Sequence, residues 1–124
     1  MRVFKSKWFR RWAAREGLGD VALLAAVREL EDGLIDADLG GHVIKKRVAL
    51  PGRGKRGSIR SLVVYRQNDK VFFVYGLAKN ERSNISDKEL RALRLLARQL
   101  LGYSNSALLK AIRAGELIEV NVNG

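Results

Sequence analysis

The 124 residues contain no cysteine, one histidine and one proline. Without cysteine there are no disulfides, thiolate metal sites or thiol nucleophiles, and His42 alone cannot build a histidine-rich metal centre or a His–His acid/base pair. No apolar run approaches the roughly 18 residues of a membrane span. The basic N-terminus runs into Trp8-Phe9-Arg10-Arg11-Trp12 rather than an apolar stretch with a cleavage site, so a cytoplasmic chain without a membrane partner is expected. What the sequence has in excess is positive charge: 24 Lys and Arg against 13 Asp and Glu, for a net +11. With 47% hydrophobic residues the chain can still bury a core, and its length suits a single domain over 1–124.

The charge lies in blocks. Residues 1–15 hold six basic side chains and no acid, residues 16–40 hold seven acids against Arg28 alone, and residues 41–66 hold eight basic side chains and no acid. An acid-free stretch of that length repels itself, and a polyanion relieves the repulsion; nucleic acid is the commonest such partner.

Local signals divide the chain into short elements. Arg2-Val3-Phe4 reads as a strand, and Ser6 caps a helix that runs to Glu16 and stops at Gly17. Trp8, Phe9, Trp12 and Ala13 share one stripe of that helix, which assigns them to the core rather than to a base-stacking platform. Asp20 is expected to cap a second helix over 21–32, and 34–41 reads as a turn-rich connector with a permissive Gly40-Gly41 pair. Strands are expected over 43–50, 58–67 and 71–78, the last two joined by an Asn68-Asp69 turn, giving an antiparallel meander. Helices over 87–101 and from a Ser104 cap to Ala114 precede a final strand over 117–122.

On the first meander strand, period-two alternation puts Lys45 and Arg47 on one face and Lys46 on the other, beside Ile44 and Val48, where Lys46 has to snorkel or sit at an edge. On the second strand Arg60 shares parity with Leu62 and Val64, and either face could be the buried one. The loop Gly52-Arg53-Gly54-Lys55-Arg56-Gly57 is not a nucleotide-binding P-loop: the spacing is wrong, Arg56 replaces the magnesium-binding hydroxyl, and a strand follows. It suits contact with phosphates, and an ordinary hairpin connection accounts for it equally well.

In their order along the chain, Lys45-x-Arg47, Gly52-x-Gly54-Lys55-x-Gly57-x-x-Arg60 and Tyr75-Gly76-x-Ala78-Lys79-x-Glu81-Arg82-x-Asn84-Ile85 resemble the RelE/HigB-like toxins of bacterial type II toxin–antitoxin systems. Lys7-Trp8-Phe9-x-x-Trp12 and Asp36-Ala37-Asp38-Leu39-Gly40-Gly41 extend the likeness over nearly the whole chain, toward the HigB-like branch. The resemblance implies an α+β domain, with N-terminal helices on a small, twisted, mainly antiparallel sheet and further helices at the C-terminus. It implies ribosome-dependent cleavage of messenger RNA, and neutralisation by a cognate antitoxin, usually a helix-turn-helix protein of the HigA type.

The chemistry follows from the side chains available. RNA carries its own nucleophile, so an enzyme that cuts it has to align the 2′-hydroxyl, remove its proton, stabilise the phosphorane and protonate the leaving oxygen, with no cofactor or metal. Arg47 and Arg60 suit bidentate grip on the scissile phosphate, and Lys45 adds positive field or transfers protons. Lys79 and Arg82, carried over from the matching motif, complete the catalytic set, with Glu81 as base, as orienting group, or as an ion-pair partner that fixes the turn. Lys46, Arg53, Lys55 and Arg56 are expected to contact RNA. Better-known members of the family carry an extra arginine and a tyrosine where this chain has Asn80 and Ser86, which leaves the base open between Glu81, a lysine and His42. Two other functions fit the same scaffold and charge: a ParE-like toxin that blocks DNA gyrase by protein binding, and a non-catalytic nucleic-acid-binding module.

Overall fold

The computed structural model describes residues 1–50, 58–77 and 85–121. The elements in chain order are β1 (Arg2–Ser6), α1 (Lys7–Glu16), α2 (Asp20–Glu31), β2 (Ala37–Asp38), β3 (Val43–Ala49), β4 (Ser58–Arg66), β5 (Lys70–Leu77), α3 (Asp87–Leu101), α4 (Asn105–Arg113) and β6 (Leu117–Val120). The strands form one open sheet in the order β2-β3-β4-β5-β1-β6, antiparallel except where β1 runs parallel to β5. The α+β architecture and the β3-β4-β5 meander are as expected.

Local chemistry accounts for the helix ends. The Ser6 side chain accepts the Phe9 N–H, and α1 stops at Gly17, whose φ of 72° is left-handed backbone that glycine adopts without strain. Ser86 and Glu89 form a reciprocal capping box on α3, and Ser104 caps α4. The cap of α2 differs from expectation. Gly19 occupies that position with no side-chain bond, and Asp20, one residue later, instead accepts from Lys5 Nζ at 2.8 Å.

Both faces of the sheet are covered. Phe9, Trp12, Leu23, Val27 and Leu30 of α1 and α2 pack with Ile44, Val48, Ile59, Val63 and Phe73 on one side. Ala97, Leu100, Leu108 and Ala111 of α3 and α4 pack with Val43, Leu62, Val64, Phe72 and Val74 on the other. No helix among the described residues is long and apolar enough to cross a membrane.

The β4–β5 turn is held by charge. Asn68 takes a φ of 61°, and the Asp69 carboxylate accepts from Arg66 Nε at 2.7 Å and Lys70 Nζ at 2.9 Å. Hydrogen bonds from Lys70 and then Arg66 hold the Asp69 carboxyl below its ordinary value. A lowered native value means the stabilisation is complete above the unfolded value, about 3.9, and is lost as pH falls through the native one. Asp69→Asn is therefore expected to lose about 1 kcal/mol or less at neutral pH, and to melt level with the wild type in strong acid. Thermal melts under the two conditions check this.

Candidate functional site

β3 and β4 bring three cations to one face. Lys45 and Arg47 share parity with Val43, and Arg60 with Leu62 and Val64, all three of which belong to the core beneath α3 and α4. Arg47 and Arg60 are direct cross-strand partners, and Lys45 is the partner of Leu62. Backbones so paired lie about 4.5–5.5 Å apart, and like charges directly opposite one another destabilise a sheet. Asp36 partly relieves Arg47: its carboxylate accepts the Arg47 backbone N–H at 2.6 Å and lies 3.9 Å from the guanidinium Nε. The Arg60 side chain has no hydrogen-bond or ion-pair partner among the described residues.

A β-bulge shapes the ground beside these cations. In the β4–β5 register Leu62 pairs with Tyr75 but Val63 pairs with Phe73, leaving Val74 as the extra residue. The inserted residue reverses the alternation. Tyr75 and Leu77 thus come onto the same face as Leu62 and Arg60, and Gly76 turns toward Trp12 on the other side. Leu62, Tyr75 and Leu77 floor a cleft of about 250 Å³, walled by Glu89, Leu93 and Leu96 of α3. Leu77 pairs with Arg60, so the floor of the cleft meets the cations directly.

Lys46 goes the other way. It is buried, with its stem on the α2 side of the sheet and its Nζ donating to Glu29 Oε1 at 2.6 Å. The expected RNA contact does not fit this placement: alternation sends Lys46 opposite to Lys45 and Arg47, and the acid of α2 engages its charge. Lys46→Ala is expected to cost about 1–2 kcal/mol in lost stem packing and the broken pair, since the Glu29 it leaves behind is half-exposed. The activity of the folded fraction should stay unchanged, as denaturant melts beside a functional assay would show.

His42 lies at the opposite end of β3, five residues or about 17 Å from Arg47 along the strand. Its φ is 66° and its Nδ1 is 3.2 Å from the Tyr65 carbonyl oxygen. Of two hollows beside it, one of about 460 Å³ is lined by Glu31 and Asp38 and by no Lys or Arg, and the other, about 400 Å³, by Arg66, Arg94 and Arg98, on different elements from Arg47 and far along the strand from it. Lys79, Glu81 and Arg82, together with Arg53, Lys55 and Arg56, lie outside the described residues. The chain joins the segment carrying Lys79, Glu81 and Arg82 at Leu77 and Ile85, both of which line the cleft.

One expectation about α1 is corrected. Phe9 and Trp12 are in the core as the stripe predicts, but Trp8 is 41% exposed. Its ring stacks on Tyr75 with centroids 4.1 Å apart. β1 ends at Ser6, so the helix begins where β5 has lost its neighbour, and the first turn overhangs the sheet. The helical period could not show this, because it depends on where the underlying strand stops.

A family model described as the RelE toxin of the RelE/RelB toxin–antitoxin system matches residues 1–120. The chain belongs to this family. A RelE-family toxin has a cognate antitoxin as partner, and members are generally endoribonucleases that inhibit translation. No curated protein matches the chain. In this RelE-family toxin the paired arginines, the lysine beside them and the cleft occupy one face of the sheet, at the end toward which 51–57 and 78–84 connect.

Proposed function

We propose that the chain is an mRNA endoribonuclease that acts within the translating ribosome, with the scissile phosphate held by Arg47 and Arg60. The observation that carries this reading is the direct Arg47–Arg60 cross-strand pair, with the Arg60 side chain unpartnered among the described residues. Two arginines set opposite each other on adjacent strands, with no acid engaging the Arg60 side chain, support the reading of this place as an anion site. Their forks match the oxygens of a phosphodiester and gain most as charge builds in the pentavalent transition state.

The reaction needs no external nucleophile. The 2′-oxygen attacks the adjacent phosphorus as a base takes its proton, the bond to the 5′-oxygen breaks, and that oxygen receives a proton. The products are a 2′,3′-cyclic phosphate and a 5′-hydroxyl. In this scheme Arg47 and Arg60 stabilise the phosphorane, Lys45 adds field, and Lys79, Glu81 and Arg82 supply further charge and proton transfer. Arg53, Lys55 and Arg56 hold the RNA backbone on either side, and Lys46 serves the fold instead. The single-domain organisation over 1–124, the HigB-like branch, a helix-turn-helix antitoxin and a cytoplasmic site of action belong to the same reading.

Primer extension on mRNA from cells briefly expressing the chain, repeated with purified translating ribosomes, tests it. Discrete cuts that require translating ribosomes are the expected result. Growth arrest without cuts would overturn it in favour of a ParE-like block of gyrase, and tight RNA binding without cuts would leave only a basic binding module.

A further inference from the structure

Trp8 is the one aromatic of α1 that the core does not account for. Phe9 is fully buried and Trp12 nearly so, whereas Trp8 stays 41% exposed. The exposed indole is nevertheless braced: Tyr75 lies 4.1 Å from it at an interplanar angle of 22°, and Trp12 lies 6.0 Å away at 17°. A large flat ring fixed in orientation loses little entropy when something stacks on it.

α1 packs on the opposite side of the sheet from the cations, and Trp8 is tied to them through Tyr75, on which it stacks and which the bulge brings to the cation face. Tyr75 pairs with Leu62, which pairs with Lys45, and in the next row Leu77 pairs with Arg60, which pairs with Arg47. Two strand spacings, about 10 Å, therefore separate the Tyr75 strand from the Lys45 strand. The near end of α1 adds charge of the same sign. Lys7, Arg10 and Arg11 are exposed, and the first turn holds no acid. Cations there oppose the helix dipole, an arrangement that an anionic partner relieves.

Resting on the reading above, we infer that Trp8, braced by Tyr75, is a stacking platform for a base of the RNA strand whose phosphate Arg47 and Arg60 hold. Single-stranded RNA is recognised by this combination of an aromatic face for the base and a cationic track for the backbone. An apolar protein surface would use the ring as well, but it would not call for the basic side chains around it.

The test is binding of a fluorescein-labelled single-stranded RNA, 2′-O-methylated throughout so that it cannot be cut, to the purified full-length chain. A second oligonucleotide carries abasic positions in place of its bases. Stacking strengths of this kind predict that Trp8→Ala weakens binding of the base-bearing strand roughly 5- to 100-fold, that Trp8→Phe restores most of it, and that the abasic strand binds both forms alike. Arg60→Ala should weaken both strands. If Trp8→Ala binds the base-bearing strand as well as the wild type while Arg60→Ala does not, the platform is overturned and the phosphate site stands. If only Trp8→Ala weakens binding, the platform stands and the phosphate site falls. Absence of measurable binding by the wild type, or an effect of Trp8→Ala confined to affinity for the antitoxin, also overturns the platform.

Discussion

Arg60→Gln is expected to lower cleavage and toxicity by roughly 10²–10³-fold while leaving the melting temperature unchanged or raised. The two effects have opposite signs because the same charge serves them differently. In the folded protein without RNA, Arg60 stands directly opposite Arg47 on the β3–β4 ladder, and the described residues offer its side chain no acid. Like charges placed so cost a sheet roughly 0.2–1 kcal/mol relative to a neutral pair. Gln keeps most of the aliphatic stem and removes the repulsion. In the proposed reaction the repulsion would become an asset, since two positive groups would meet the charge that develops on the phosphorane. Arg60→Lys separates charge from geometry: it keeps the cation and loses the planar fork, so activity should fall between wild type and Arg60→Gln. Thermal melts of the purified variants, beside cleavage on translating ribosomes, read both quantities. Toxicity that survives Arg60→Gln at full strength would remove phosphate grip from the account and favour inhibition through a protein target.

Much of this arrangement was legible in the sequence where one local rule decided the outcome. The bounds of α1 at Lys7 and Glu16 follow from Ser6 and Gly17, and the start of α4 at Asn105 from Ser104, residues whose preferences are intrinsic to helix ends. The common face of Lys45 and Arg47 follows from alternation alone. The face of Arg60 did not, because β4 is a central strand with helices on both sides, and Ile59, Leu62, Val63 and Val64 are all buried. The register that sets Arg60 against Arg47 was equally hidden, since the β3–β4 connection is longer than the tight turns that dictate pairing. β2 makes only two pairs with β3 and leaves no pattern of its own, yet Asp36 beside it supplies the carboxylate that Arg47 leans on. The bulge at Val74 likewise gave no sign in a run of Val, Phe and Tyr, and it is what turns Tyr75 toward Trp8 and the cleft.

The same bulge makes Gly76 the position least tolerant of a side chain. A Cβ built there would lie 2.2 Å from Cζ3 of Trp12 and 2.3 Å from Cη2, well inside van der Waals contact. The indole is flat against bare backbone, and Phe9 at 5.5 Å and Trp8 at 6.0 Å hem it in. Trp12 is only 4% exposed, so it has little room to retreat. A glycine within a strand usually weakens it, and here the loss is offset by the closeness it allows between α1 and β5. Gly76→Ala forces either the ring outward or β5 down toward the cleft, and is expected to destabilise by about 3 kcal/mol, the upper end for overpacking. At a few degrees per kcal/mol, that is a drop in melting temperature of roughly 10 °C. A double-mutant cycle with Trp12→Leu shows whether the ring is the cause. Trp12→Leu is destabilising by itself because it opens a cavity, but in that background Gly76→Ala should cost less than about 1 kcal/mol, a coupling of about 2 kcal/mol between the two sites. Urea melts of the four proteins measure this, and simple additivity would show that something other than the Trp12 contact holds β5 at a glycine.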